Sequence, residues 1–164
     1  MAVPIIASQK EGILPSLTEF NFIKTENRWG LEGSVQNYNL VFCPDVALSR
    51  TLVRRKIDSN AALRRGLNLA SEMLQITYLY HDLDPCYLCT PKELYEDLKA
   101  MGYDWPTLLN TRSWWALDGF HTDVPFLSTM DFLRMRTGEY IPFWFTAEQK
   151  AKIDITKAKP KPQE

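Results

Sequence analysis

The sequence predicts an α+β fold in which a small N-terminal antiparallel β-meander precedes a predominantly helical C-terminal part. Apolar and polar residues alternate in the first quarter of the chain, as in strands, and from residue 45 onward the apolar residues recur at helical spacing. With 164 residues the chain has the size of one domain. We therefore expect a single α+β domain over residues 1–155 and an extended Lys/Pro-rich tail over residues 156–164.

Three segments carry the predicted meander. Residues 17–25 alternate apolar and polar side chains at their centre and are followed by a turn-prone Glu-Asn-Arg sequence. Residues 29–35 then form the returning strand, and residues 38–43 add a third strand that Pro44 ends. We expect these strands to pair in chain order.

Helix signals dominate the rest of the chain. A helix capped by Asp45 should stop near residue 58, and a longer helix over residues 60–80 carries a wide apolar stripe, which predicts the central core helix. Thr90 opens a capping box with Pro at the first helical position, and Gly102 supplies the stop. Three further helices are expected to begin after Asp104, at Ser128 and at Thr146.

The charge balance and the cysteine content limit the classes of protein. Lys and Arg number 19 and Asp and Glu number 20, which excludes a globally basic nucleic-acid binder. Residues 1–8 lack the basic flank and the length of a signal peptide, and no apolar stretch approaches the roughly 18 residues of a membrane span. Three cysteines do not form the disulfide framework of a small secreted protein. We expect a soluble protein in the cytoplasm or otherwise inside the cell.

The main functional signal is an excess of aromatic side chains near the C-terminus. Of the 20 aromatic residues, 11 lie between residues 103 and 145, and a domain this small has a limited interior. Neighbouring rings cannot all point inward, and Trp and Tyr often anchor protein interfaces. The predicted partner-binding residues are Trp105, Trp114, Trp115, Tyr140, Phe143, Trp144 and Phe145.

No nucleophile elbow, phosphate loop or His-Glu-x-x-His motif is present, so we expect a protein that is not an enzyme. The main hypothesis is an accessory or assembly protein that binds a larger protein complex through the aromatic surface. A machine subunit, a virion component and a small inhibitor all fit this description. No cofactor is expected under it.

A basic helical pair over residues 50–65 supports an alternative hypothesis. Six cations against a single acid on two connected helices could contact a phosphate backbone, and the helix–turn–helix outline is that of a DNA-reading unit. The alternative is that these cations lie near a helix C-terminus, where they interact favourably with the helix dipole, are exposed to solvent and bind no partner. The candidate nucleic-acid-binding residues are Arg50, Arg54, Arg55, Lys56, Arg64 and Arg65.

A Cys-x-x-Cys pair supports a third hypothesis, a zinc-binding or thiol protein. Cys86 and Cys89 directly precede the capped helix, whose N-terminus favours a thiolate. A zinc site needs further ligands, and Cys43 and His81 are the candidates. The alternative is that the two thiols are small buried hydrophobic groups at a helix junction.

Overall fold

The structure, a computed structural model, describes residues 2–34, 36–76, 81–110 and 126–159, and the predicted α+β fold is confirmed. The strands are Ala7–Ser8 (β1), Gly12–Ile13 (β2), Leu31–Ser34 (β3), Asn37–Leu40 (β4) and Cys43–Leu48 (β5). The helices are Pro15–Glu26 (α1), Val53–Ser59 (α2), Ala61–Gln75 (α3), Pro91–Ala100 (α4), Trp105–Leu109 (α5), Thr129–Arg136 (α6) and Ala147–Ala151 (α7), with 3-10 turns at Pro85–Tyr87 and Ile155–Lys157. Within the described ranges, no helix combines the length and the apolar character needed to cross a membrane.

The antiparallel meander is β3-β4-β5, and a separate two-stranded pair, β1-β2, precedes α1. In the meander, Leu31 lies opposite Leu40 and Tyr38 lies opposite Leu48. The register shifts between Asn39 and Leu40, so β5 bends away from a regular ladder at that point. The three strands pair in chain order, but the predicted third strand over residues 38–43 is β4 and the start of β5, which a turn at residues 41–42 joins.

The predicted strand over residues 17–25 is wrong, because these residues belong to α1. Ser16, Phe20 and Ile23 are buried along one face at spacings of four and three residues, which is helical spacing. Pro15 occupies the first turn, where its missing N–H costs no hydrogen bond. The alternation of the two phenylalanines in this segment is therefore not a strand pattern.

The predicted helix from residue 45 is also wrong in its first half. Residues 43–48 form β5, and the helix begins only at Val53. Pro44 does not end the sheet, since β5 is an edge strand and an edge position tolerates a residue without an N–H. Its carbonyl oxygen accepts a hydrogen bond of 2.7 Å from Asn39 Nδ2. Tertiary pairing with β4 thus overrides the helical spacing of the apolar residues.

Unlike the start at Asp45, the helix starts predicted at Thr90, Asp104, Ser128 and Thr146 are confirmed. Capping boxes open α4 at Thr90, α6 at Ser128 and α7 at Thr146, and Asp104 caps α5. Each of these side chains accepts a hydrogen bond from the backbone N–H three residues later, which satisfies one of the unpaired donors of the first turn. The parts of the predicted helices at 77–80 and 111–115 lie outside the described residues.

Helix α3 lies between two hydrophobic clusters. One of its faces packs with α1, α2 and the strands, and another packs with α4, α5 and α6. The α3 residues in the first cluster are Leu63, Leu67, Ala70 and Leu74, and those in the second are Leu69 and Met73. Gly66 allows α3 to approach the meander closely, because a Cβ there would lie 2.8 Å from Leu40 Cδ2 and 3.1 Å from Phe42 Cβ. This helix is the central core helix that its apolar stripe predicts.

The predicted tail remains packed for its first residues. Ile155–Lys157 is a 3-10 turn, and the Lys159 N–H donates to the Arg136 carbonyl oxygen at 2.9 Å. Lys157 Nζ donates to the Ala100 carbonyl oxygen at 3.1 Å, which ties the turn to the end of α4. Residues 156–159 therefore differ from the extended segment expected from composition, and residues 160–164 lie outside the described part of the chain.

We predict that Gly102→Ala destabilises the chain by at least about 2 kcal/mol more than Gly12→Ala in urea denaturation. Both glycines have positive φ, +95° and +73°, so both variants carry the strain of a left-handed backbone. Only at residue 102 would the new Cβ also overlap another atom, the Lys152 carbonyl oxygen, whereas no atom lies within 4 Å of it at residue 12. Equal losses in the two variants would contradict the packing of residue 152 against the end of α4.

Candidate functional site

The turn over residues 143–145, called here the aromatic turn, places three consecutive rings at three depths. Phe145 is buried, Trp144 is half-buried against the core, and Phe143 is 76% exposed. The rings meet edge to face, with centroids 5.1 Å apart for the first pair and 6.2 Å apart for the second. Such T-shaped contacts are the favoured geometry of neighbouring aromatic side chains. The turn therefore presents an apolar ring to solvent on an ordered support.

Local hydrogen bonds hold the backbone of the aromatic turn. The Phe145 N–H donates to the Pro142 carbonyl oxygen at 3.1 Å, and Lys150 Nζ donates to the Phe143 carbonyl oxygen at 3.1 Å. The capping box between Thr146 and Gln149 fixes the start of α7 directly after the turn. These contacts fix the backbone position of Phe143, and therefore the point at which its ring extends into solvent.

The other predicted partner-binding residues are less exposed than Phe143 or lie outside the described residues. Trp105 is only 6% exposed, stacks on Tyr95 at 5.2 Å, and donates from Nε1 to the Tyr95 carbonyl oxygen at 3.2 Å, so it is a core residue. Tyr140 is half-buried, and this burial raises the pKa of its hydroxyl. Trp114 and Trp115 lie outside the described residues.

The aromatic excess is thus only partly a surface feature. Among the described rings of this region, Tyr103, Trp105, Phe132 and Phe145 are buried. The interior holds these rings because aromatic side chains from α4, α5 and α6 pack against one another in a single cluster. The expectation that adjacent rings cannot all point inward is met at the aromatic turn.

The basic helical pair has a shorter turn than its sequence outline. Asp58 and Ser59 belong to α2, and a single residue, Asn60, connects α2 to α3 as the last cap of one and the first cap of the other. Much of α3 is packed between two hydrophobic clusters. A role of this pair in reading DNA stays a prediction.

The six cations of the pair also have different surroundings. Arg50 and Arg55 are exposed, and Lys56 and Arg65 are half-buried. The remaining two make specific contacts: Arg54 forms an ion pair with Glu11, and Arg64 Nη1 donates to the Ile57 carbonyl oxygen at 2.8 Å. Nucleic-acid binding by these residues stays a prediction, and the cations do not form one uniform surface.

The three cysteines are all thiols, and two of them are core residues. Cys86 and Cys89 are 8% and 5% exposed in the cluster that α3 shares with α4, α5 and α6. Cys43 is half-buried at the start of β5, and His81 is exposed beside Asp82, with 3.2 Å between Nε2 and the carboxylate. Across the described residues, no three His, Cys, Asp or Glu side chains are grouped in a way that could hold a metal ion.

The environment of Cys89 does not favour a thiolate. Burial raises the pKa of its thiol to about 11, and the carboxylates of Glu93 and Asp97 act in the same direction against the opposing effect of Arg136. The N-terminus of α4 would lower the pKa of this thiol, but the increase that burial causes is larger. At neutral pH the Cys89 thiol is protonated, as in a packed hydrophobic group rather than a nucleophile.

Sequence reasoning missed a polar face on the central helix. Asn68 Nδ2 donates to Glu19 Oε1 at 3.0 Å, and Thr129 Oγ1 donates to Glu72 Oε2 at 2.6 Å. These bonds link α3 to α1 on one side and to α6 on the other. The spacing of four residues between Asn68 and Glu72 is a helical signal that the sequence contains, but their partners come from distant segments.

We predict that Cys89 resists alkylation in the folded chain. In a Cys43→Ser/Cys86→Ser variant, iodoacetamide at pH 8 should react far more slowly than with the same chain in urea, because only the thiolate attacks. The folded-state pKa of about 11 exceeds the unfolded value of 9.0, so protonated Cys89 favours folding below pH 9 and that contribution is lost as the pH rises towards 11.

Equal alkylation rates in the folded and the unfolded chain would show that Cys89 is not packed as described. The Cys86→Ser/Cys89→Ser variant is the matched control, because it retains only the half-buried Cys43. Its thiol should react faster than Cys89 in the folded chain.

Comparisons of the chain with models of protein families, with curated protein sequences and with solved structures found no match. The contacts and exposures of its own residues therefore provide the basis for a functional proposal, and the aromatic turn is the most exposed aromatic feature among the described residues.

Proposed function

We propose that this chain is a non-enzymatic accessory or assembly protein that docks on a larger protein through the aromatic turn. The observation that supports the proposal is the 76% exposure of Phe143, a large apolar ring next to the buried Phe145. Burying an exposed Phe ring in a partner contributes about 2 kcal/mol of binding free energy. A subunit of a machine, a virion component and a small inhibitor would all use such a surface.

The support beneath Phe143 reduces the cost of binding. Its ring contacts Trp144, which packs on the core, and its carbonyl oxygen accepts the hydrogen bond from Lys150. An anchor that is already ordered loses less conformational freedom when it enters a partner's pocket. This combination of exposure and order distinguishes Phe143 from an apolar side chain on a frayed loop.

Charged side chains follow the aromatic turn along the chain, and one of them, Lys150, contacts the Phe143 carbonyl oxygen. Lys152 Nζ lies 3.1 Å from Glu148 Oε1, and Lys157 Nζ lies 3.7 Å from Asp154 Oδ2. The rim of an interface is typically polar and contributes more to orientation than to affinity. We therefore infer a partner surface with an apolar pocket for Phe143 and a polar border.

We predict that Phe143→Ser weakens partner binding about 30-fold, which corresponds to about 2 kcal/mol, and leaves the unfolding temperature of the chain unchanged, because the ring contributes little to the core. Phe145→Ser is the matched control: it removes a ring that is 8% exposed and should cost about 3 kcal/mol of stability. Unfolding of the Phe143 variant would show that this ring belongs to the core and would contradict the proposal.

The partner is captured with a photo-crosslinking aromatic amino acid at position 143 in extracts of the native source. The same group at Ile13, which is 61% exposed in β2, is the control for exposure alone. A specific adduct should form only from position 143, should be displaced by excess wild-type chain but not by Phe143→Ser, and should persist in high salt. Identical adducts from both positions would contradict the proposed surface, and a steep loss with salt would favour nucleic-acid binding.

A further inference from the structure

We draw no further inference here: the strongest candidate, the cavity of about 380 Å³ where the N-terminal segment meets α1 and α3, is lined by the carboxylates of Glu19 and Glu72, which already accept hydrogen bonds from Asn68 and Thr129, and no second observation on the described residues points to a ligand.

Discussion

The burial of α3 on two sides is the constraint on which the rest of the structure depends. The meander, α1 and α2 cover one face, and α4, α5 and α6 cover another, so each half of the chain completes its core only by packing on this helix. Gly66 sets how close the meander can come, because any larger residue would meet Leu40 and Phe42.

The proposed docking surface lies where this packing leaves a ring outside the core. At the aromatic turn the core accepts Phe145 and part of Trp144 but not Phe143, so one ring stays in solvent. Exposed apolar surface on an ordered support is typical of binding surfaces when it forms a contiguous patch.

The sequence predicts the helices whose start is defined by their own residues. The capping boxes at Thr90, Ser128 and Thr146 form between residues three positions apart, so no knowledge of the fold is needed to recognise them. The sequence predicts the wrong class for residues 17–25 and 45–48, because short apolar runs fit both periods and their partners lie elsewhere in the chain. Of the candidate surface, the exposure of Phe143 is predicted correctly and that of Trp105 is not.

The sequence by itself therefore determined the α+β class, the central helix and the capped helices of the C-terminal part, since local hydrogen bonds and a wide apolar stripe depend only on nearby residues. Only the tertiary structure decided which rings are buried, that Arg64 caps α2, and that Cys89 is a packed thiol. These properties depend on contacts between segments far apart in the chain. Such contacts determine burial and the charge around a side chain. The periodicity of the sequence does not reveal which distant segments meet.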